Sequence, residues 1–210
     1  MDTNKIAVTI FDLRANEYQK KFMDVSSYHN SLDLFCANLP HQNPSILELA
    51  CGPGNITAYL LSKRPDFEIL GTDLSPNMIA LAKINNPTVD FQLMDCRSIG
   101  TLQRKFDGIM CGFCFPYLSM SECRKLIADA SSILQPNGIL YISTIEDHYN
   151  KSGWVQSSYG DEMYQYYHEV KVLCMFLEAS NFKIVQLSRL ESIQQNGQKT
   201  TDLIIIAQLQ

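Results

Sequence analysis

The segment Ile46-Leu-Glu-Leu-Ala-Cys-Gly-Pro-Gly-Asn55 decides the fold of this 210-residue chain. Its first half is a short, mostly apolar run typical of a buried strand, and its second half is a glycine loop that leads into a helical pattern. Gly52 and Gly54 let the backbone turn sharply and approach a ligand closely, because neither residue has a Cβ atom. The free amides at the start of the next helix favour electron-rich groups. We therefore expect a nucleotide-like ligand above this loop.

Strand-like and helical patterns alternate on both sides of this loop. Strands are predicted at residues 45–49, 68–71, 89–94, 107–113 and 139–145, and helices at residues 55–63, 76–84 and 119–134. This alternation is typical of a mostly parallel sheet with helices on both faces. Near the C-terminus, Gln195-Asn-Gly-Gln198 is a hairpin-turn signal between two strand-like runs, so the sheet is expected to finish with an antiparallel pair.

The segments outside this alternation give weaker patterns. Residues 1–10 are expected to be loose, and residues 11–39 are expected to be helical because apolar side chains recur at spacings of three and four. Residues 146–162 are polar and aromatic without a clear period, which predicts a long loop. A helix is predicted over residues 164–179, with His168 on it.

Composition limits the classes of function. The chain is 46% hydrophobic and 19% charged, its formal net charge is −5, and its Lys and Arg residues form no dense block. A protein that neutralises many phosphates usually has a basic face, so no nucleic-acid partner is expected. The sequence has no run of about 18 apolar residues and no signal-peptide pattern at Met1–Val8, so we expect a cytoplasmic protein with no membrane partner.

The seven cysteines predict ordinary reduced thiols. An odd number of cysteines scattered through apolar strings does not resemble a disulfide framework. Cys111 and Cys114 have CxxC spacing, but no second pair follows at a spacing that would complete a zinc site. We therefore expect no bound metal.

Asp73 is the first polar residue that adds chemistry to the glycine loop. It lies nineteen residues after Gly54, at the end of the second predicted strand, where a carboxylate can accept hydrogen bonds from both hydroxyls of a ribose. A dinucleotide would need a third glycine where Thr57 stands, and Pro53 removes an amide that a pyrophosphate could use. An NAD(P)-dependent oxidoreductase is thus an alternative that fits the loop poorly.

Five motifs, in order and at matching spacing, resemble the class I S-adenosylmethionine-dependent methyltransferases. They are Leu47-Glu-Leu-Ala-Cys-Gly-Pro-Gly54, Gly71-Thr-Asp-Leu-Ser-Pro-Asn-Met-Ile79, Met94-Asp-Cys96, Phe106-Asp-Gly-Ile-Met-Cys-Gly112 and Leu134-Gln-Pro-Asn-Gly-Ile-Leu140. The resemblance covers about residues 40–210, with Ala50 where the family often has glycine. It implies S-adenosyl-L-methionine as the cofactor. It also implies an α/β, Rossmann-like fold: a three-layer α-β-α sandwich whose doubly wound, mostly parallel seven-stranded sheet has an antiparallel C-terminal strand.

The resemblance also implies the cofactor-binding residues. Glu48 would orient the ammonium group of the methionine moiety through the loop or a water, Asp73 would accept from the ribose, and Asp95 would accept from the adenine amino group. The other implied contacts are backbone or apolar and come from Ala50, Cys51, Gly52, Gly54, Leu74, Met78, Cys96 and Cys111.

Two further expectations concern the rest of the chain. In similar proteins the N-terminal helices and the loop after the fifth strand form a lid. We therefore expect a helical lid segment at residues 1–40 and a cofactor-binding domain at residues 41–210, within a single domain overall. The string Gly112-Phe-Cys-Phe-Pro-Tyr-Leu118 lacks the Asn/Asp-Pro-Pro-aromatic motif usual for acceptors with planar nitrogens, and its apolar and aromatic residues suit a small organic molecule.

The predicted function is methyl transfer to a small-molecule acceptor by in-line displacement. The cofactor brings the reactivity, so a catalytic side chain is not required of every acceptor. The candidates for such a side chain are His148, Tyr18 and Tyr117. An NAD(P)-dependent oxidoreductase and a non-catalytic cofactor-binding relative are the alternatives. A monomer or a weak homodimer is expected.

Overall fold

The structure is a computed structural model that describes residues 2–157, 159–193 and 199–210. The α-helices in those ranges are α1 (Thr3–Leu13), α2 (Ala15–Phe22), α3 (His29–Ala37), α4 (Asn55–Lys63), α5 (Pro76–Asn85), α6 (Met120–Ile133) and α7 (Val170–Ala179). The strands are β1 (Ser45–Leu49), β2 (Glu68–Asp73), β3 (Asp90–Leu93), β4 (Phe106–Cys111), β5 (Leu134–Ile145), β6 (Gly153–Gln156), β7 (Glu162–Gln165), β8 (Phe182–Ile193) and β9 (Lys199–Leu209).

Seven of these strands form one sheet in the order β3-β2-β1-β4-β5-β9-β8. The first five are parallel to one another, and β9 is antiparallel to both of its neighbours, β5 and β8. This is the predicted doubly wound, mostly parallel sheet with an antiparallel C-terminal strand. The remaining two strands, β6 and β7, form a separate antiparallel pair.

The sheet is buried on both faces, which explains its apolar strands. On one face, α6 packs Leu126, Ile127 and Ala130 into the core, and all three are 0% exposed. On the other face, Leu32 and Phe35 of α3 are equally buried. Burying each large apolar side chain contributes about 1.5–3 kcal/mol, so both layers hold the strand ends in fixed positions.

The strand order reverses between β1 and β4. Leu49 at the end of β1 is in register with Thr72 of β2 and with Cys111 of β4, so the loops that follow these strands leave the same edge of the sheet side by side. Ligands of doubly wound sheets bind at the edge formed by the carboxyl ends of the strands, where the order reverses. The fold therefore directs attention to the loops after β1, β2 and β4.

The expectation that residues 1–10 are loose is wrong, because α1 begins at Thr3. The Asp2 side chain caps this helix by accepting from the Lys5 amide, and Asn4 and Ala7 are buried. Asn4 also donates to the backbone carbonyl of Tyr117, far away in the sequence. Contacts with the rest of the fold stabilise the helix, and the local pattern contains no sign of them.

The predicted loop at 146–162 and the start of the predicted helix at 164 are also wrong. Those residues contain β6 and β7, which pair through Trp154 opposite Tyr164, with ring centroids 5.7 Å apart. Helix α7 begins only at Val170, so His168 precedes it and its backbone amide donates to Ile145. The predicted turn Gln195–Gln198 lies outside the described residues.

Candidate functional site

The loop after β1 has an unusual backbone. Ala50, Gly52 and Gly54 all have positive φ, at 50°, 55° and 79°. The left-handed region costs an L-residue such as Ala50 about 1–2 kcal/mol. Phe113, in the loop after β4, also has a positive φ of 51°. Strain of this kind is concentrated at ligand sites, and Ala50 and Phe113 border the same cavity.

A first cavity lies over the ends of β1, β2 and β4. Its lining includes seven of the predicted cofactor residues: Ala50, Gly52, Asp73, Leu74, Met78, Asp95 and Cys96. The other lining residues are Asn4, Ala7, Val8, Phe11, Tyr18, Met94, Gly112, Phe113, Cys114 and Tyr117. The motifs that are separated along the sequence thus meet around one space.

Asp73 is held at the floor of the first cavity. Its Oδ2 accepts from the Gly52 amide at 2.9 Å, and its Oδ1 accepts from the Ser75 amide at 2.8 Å. Burial raises the pKa of this carboxyl, and the two amide hydrogen bonds oppose that rise. The carboxylate is therefore fixed against the glycine loop, with lone pairs left over for further donors.

Asp95 is engaged by a neighbour that the sequence analysis missed. Arg97 donates to both carboxylate oxygens of Asp95 at 2.7–3.0 Å, and it also pairs with Asp2 and Glu122. Burial acts to raise the pKa of Asp95, but the hydrogen bonds from Arg97 outweigh it and lower the pKa. Asp95 therefore stays an ionised acceptor beside the cavity. The spacing Asp95-x-Arg97 could have indicated this ion pair in the sequence.

The cysteines at the site are thiols, and all seven in the chain are unpaired. Cys96 and Cys114 both line the first cavity, with their Sγ atoms 3.3 Å apart. The neighbouring Cys114 thiol and burial raise the pKa of Cys96 well above its ordinary value. These thiols therefore stay protonated and act as apolar packing groups.

A second cavity adjoins the first. Both are bordered by Phe11, Tyr18, Ala50, Gly52, Gly112, Phe113 and Tyr117. The second cavity also contains the predicted residues Glu48 and Cys51, and it extends to Tyr28, Tyr141 and Asp202. The glycine loop thus lies between two connected spaces, one bordered by Asp73 and Asp95 and the other by aromatic rings.

Glu48 is a buried carboxyl with one oxygen unsatisfied. Its Oε2 accepts from Thr57 Oγ1 at 2.5 Å, but its Oε1 has no hydrogen-bond partner although the residue is only 1% exposed. Burial raises the pKa of Glu48 to about 7. An unpaired buried oxygen costs about 1–3 kcal/mol, which a cationic donor in the cavity would recover. The residue therefore fits a ligand ammonium group.

Tyr28 and Asp202 both border the second cavity and are hydrogen-bonded to each other. The Tyr28 hydroxyl donates to Asp202 Oδ2 at 2.8 Å, which joins the N-terminal segment to β9 across 174 positions. Burial raises the pKa of Asp202, and the Tyr28 hydrogen bond opposes it. Sequence reasoning missed Asp202, although its position in the otherwise apolar string Asp202-Leu-Ile-Ile-Ile206 was a signal.

The catalytic candidates have different placements. Tyr18 and Tyr117 border both cavities, and burial raises the pKa of Tyr18 to about 12, so it keeps its proton. Burial raises the pKa of Tyr117 as well. His148 is exposed, pairs with Glu169 at 2.8 Å and lines neither cavity. His148 therefore lies apart from the residues that the two cavities bring together.

Two of the predicted cofactor residues lie behind the cavity walls. Gly54 lines neither cavity, and a Cβ atom there would come within 2.4 Å of Asn86 Nδ2. Its role is to let the start of α4 pack against the end of α5. Cys111 is fully buried beneath the loop after β4 and also lines neither cavity. Both residues shape the site from below.

The N-terminal helices are tied to the loops of the site. The contacts are Asn4 to the Tyr117 carbonyl, Asp12 to Ser75 and Asn77, Gln19 to Asn85, and the Phe22 carbonyl to Asn55. These hydrogen bonds place α1 and α2 over both cavities. The sequence analysis missed α1 and with it Asn4, Ala7, Val8 and Phe11 as lining residues.

The comparisons with known proteins agree with this geometry. A family model described as a methyltransferase domain matches residues 46–138, which contain the first four motifs and most of the fifth. This part of the chain is therefore similar to a methyltransferase domain, as the motifs predicted. None of the relatives and structures reported below is named as a nicotinamide-dependent oxidoreductase.

Curated relatives include a putative methyltransferase of Invertebrate iridescent virus 6, which is 24% identical over 158 residues, covering 69% of this chain and 59% of the relative. A trans-aconitate 2-methyltransferase of Methylobacterium radiotolerans is 32% identical over 107 residues, covering 50% of this chain and 40% of the relative. The chain thus spans about half the length of these relatives.

Solved structures share the whole fold at low identity. The complex of DhpI with SAH has a TM-score of 0.76 at 18% identity and covers 98% of this chain and 96% of its own. The [4+2]-cyclase SpnF has a TM-score of 0.66 at 16% identity, covering 86% of this chain and 80% of its own. The second example is named for a reaction other than methyl transfer, so the fold alone does not decide the chemistry.

Two classes of feature are missing from the residues that the structure describes. None of their helices combines the length and the hydropathy needed to cross a bilayer. Nor do three or more of their His, Cys, Asp and Glu side chains come together as a metal site.

Proposed function

We propose that the chain binds the adenosyl part of S-adenosylmethionine in the first cavity, with the ammonium group reaching Glu48 beside the glycine loop, and transfers the methyl group to a small molecule in the remainder of the second cavity. The observation that carries this proposal is the junction of the two cavities at the glycine loop, with the ordered carboxylate of Asp73 on one side. A methyl donor and its acceptor must meet in line, and the junction at Ala50 and Gly52 is where two ligands can touch.

The residues divide between the parts of the cofactor. Asp73 accepts from the ribose hydroxyls, Leu74 and Met78 pack against the adenine, and Asp95 accepts from its amino group. The backbone amide of Cys96 donates a hydrogen bond to a nitrogen of the adenine ring. On the other side of the loop, Glu48 receives the ammonium group, which its unpartnered Oε1 supports.

When bound, the cofactor supplies a methyl group activated by a sulfonium. The chain's own residues then bind, orient and exclude water. Tyr18 and Tyr117 stay protonated and so provide no base. Helices α1 and α2 cover the cavities as a lid formed by the segment 1–40, held by the hydrogen bonds of Asn4, Asp12 and Gln19. Orientation is the protein's main contribution.

Calorimetry with S-adenosylmethionine, S-adenosylhomocysteine and NADH tests this proposal. We expect both sulfur ligands to bind, and Asp73→Ala to weaken S-adenosylhomocysteine binding by about 1–3 kcal/mol because the ribose loses its acceptor. Asp90→Ala, an exposed carboxylate at the start of β3, is the matched control and should bind like the parent. Tight NADH binding without a response to either sulfur ligand would overturn the proposal.

A further inference from the structure

The second cavity is lined by negative but not by positive side chains. Asp24, Glu48 and Asp202 contribute carboxyl groups, and no Lys, Arg or His is among the described residues that border it. Asp24 is exposed, Glu48 is buried on β1 just before the glycine loop, and Asp202 is half-buried on β9. A space enclosed by low-dielectric walls focuses a field of one sign, so this cavity favours cations and repels anions.

Seven aromatic residues also border the second cavity. They are Phe11, Tyr18, Phe22, Tyr28, Phe113, Tyr117 and Tyr141. Edge-to-face pairs fix several of them, with centroids 5.0 Å apart for Phe11 and Tyr117 and 5.3 Å apart for Tyr28 and Phe113. Faces of aromatic rings attract organic cations, and the attraction strengthens in desolvated sites.

Two carboxylate oxygens of the residues that line this cavity receive no hydrogen bond from the described residues. Asp202 receives one hydrogen bond, from Tyr28 to Oδ2, and no described residue donates to its Oδ1. Glu48 Oε1 is buried without a partner on the opposite side. If Glu48 receives the ammonium of the methyl donor, Asp202 remains as the acceptor for the second ligand. Asp202 is hydrogen-bonded to Tyr28, whose ring contacts Phe113, and Phe113 borders both cavities.

We propose that the methyl acceptor is an amine whose nitrogen binds at Asp202 among the rings of Tyr28 and Phe113. This inference rests on the proposed function and names the substrate class. An amine that arrives protonated gives its proton to the Asp202 carboxylate. The neutral nitrogen then attacks the methyl carbon, so an N–C bond forms while the S–C bond breaks and its electron pair stays on sulfur. The positive charge moves from sulfur to the methylated nitrogen, where the aromatic rings stabilise it. Release of the proton from the Asp202 carboxyl to solvent then restores the carboxylate beside the cation.

The proposed substrate class differs from the substrate for which a similar protein is named. One relative is named for trans-aconitate, whose carboxylates would require positive partners. In the second cavity those carboxylates would instead face Asp202 and Glu48. Like charges without compensation disfavour binding strongly, so the lining argues against an anionic acceptor for this chain.

Calorimetry on the full chain saturated with S-adenosylhomocysteine compares matched probes. Benzylamine is paired with phenylacetate, and phenethylamine with 3-phenylpropionate, so that each pair shares an aromatic body and differs in the charged group. We expect each amine to bind at least about tenfold more tightly than its carboxylate partner. Amines that do not bind, or carboxylates that bind as tightly, would overturn the inference.

The variant Asp202→Asn tests whether Asp202 causes the preference for amines. Asparagine keeps an oxygen for the Tyr28 hydroxyl and removes only the charge, so the fold and S-adenosylhomocysteine affinity should persist. We expect amine affinity to fall about tenfold and the preference over carboxylates to vanish, whereas Asp90→Asn changes neither. Unchanged amine binding in Asp202→Asn refutes the assignment. Failure to bind S-adenosylhomocysteine in the parent chain would instead refute the proposed function.

Discussion

At the scale of single residues, Gly54 shows how sterics fix the cofactor loop. Its φ of 79° almost equals the 83° of Gly160, but a Cβ atom at Gly54 would lie 2.4 Å from Asn86 Nδ2, whereas nothing lies within 4 Å at Gly160. We predict that Gly160→Ala lowers the free energy of unfolding by about 1–2 kcal/mol, the cost of the left-handed backbone. Gly54→Ala should cost about 1–3 kcal/mol more, since Asn86 then loses its bond to the Gly54 carbonyl. Urea unfolding measures the free energy of unfolding of both variants. Equal losses would show that the Asn86 side chain moves aside without loss of stability.

Glu48 predicts a pH dependence of cofactor binding. Burial raises its pKa from 4.5 to about 7. The folded state therefore loses stability as the pH rises through that range and the carboxyl ionises. A cationic ammonium group binds only the ionised carboxylate. We predict that affinity for S-adenosylhomocysteine falls by up to about tenfold between pH 8 and pH 6, as the ionised fraction falls. In Glu48→Gln the affinity should be flat over this range. Calorimetry at pH 6, 7 and 8 checks it, and an equally steep parent and variant would remove Glu48 from the binding site.

At the scale of elements, sequence predicts what local patterns determine. Strands β1 and β4 are buried on both faces, so their apolar runs mark them clearly. Helix α1 was missed because its stability depends on residues far away, such as Tyr117, which accepts from Asn4. The pair β6 and β7 was missed because its aromatic cross-strand contact follows no simple period. Elements supported by remote partners leave little trace in their own sequence.

A prediction about helices concerns how the N-terminal lid is held against α5. Asp12 at the end of α1 accepts from the Ser75 hydroxyl at 2.7 Å and from the Asn77 amide at 2.9 Å, at the start of α5. We predict that Asp12→Ala speeds hydrogen exchange in residues 3–13 about tenfold, since three hydrogen bonds from Ser75 and Asn77 to the carboxylate are lost. Asp33→Ala, which removes an exposed ion pair of α3 with Lys63, is the control. Mass spectrometry of exchange measures both; no change in α1 for Asp12→Ala would show that its apolar face alone holds the lid.

At the scale of the whole molecule, the two halves of the site differ in how far sequence reveals them. The cofactor side was predicted because its residues follow strands in recognisable motifs, with Asp73 at the end of β2 as the example. On the acceptor side, Glu48, Tyr18 and Tyr117 were predicted, but the pair of Tyr28 and Asp202 was not, because these two residues meet only through the placement of β9 beside β5. The contact between Tyr28 and Asp202 depends on the strand order, so it becomes visible only in the folded structure.

Binding at such a site must stabilise the whole fold, since a ligand that binds only the folded state shifts the unfolding equilibrium. At a concentration of about 100 times its dissociation constant, S-adenosylhomocysteine should add about 2.7 kcal/mol. For a chain of this size we predict a rise in Tm of about 5–10 °C. NADH at the same concentration should give no rise, and Asp73→Ala should need a higher S-adenosylhomocysteine concentration for the same shift. Thermal unfolding followed by circular dichroism measures this. A rise with NADH alone would mean that the two cavities receive a dinucleotide, in spite of Pro53 and the missing third glycine.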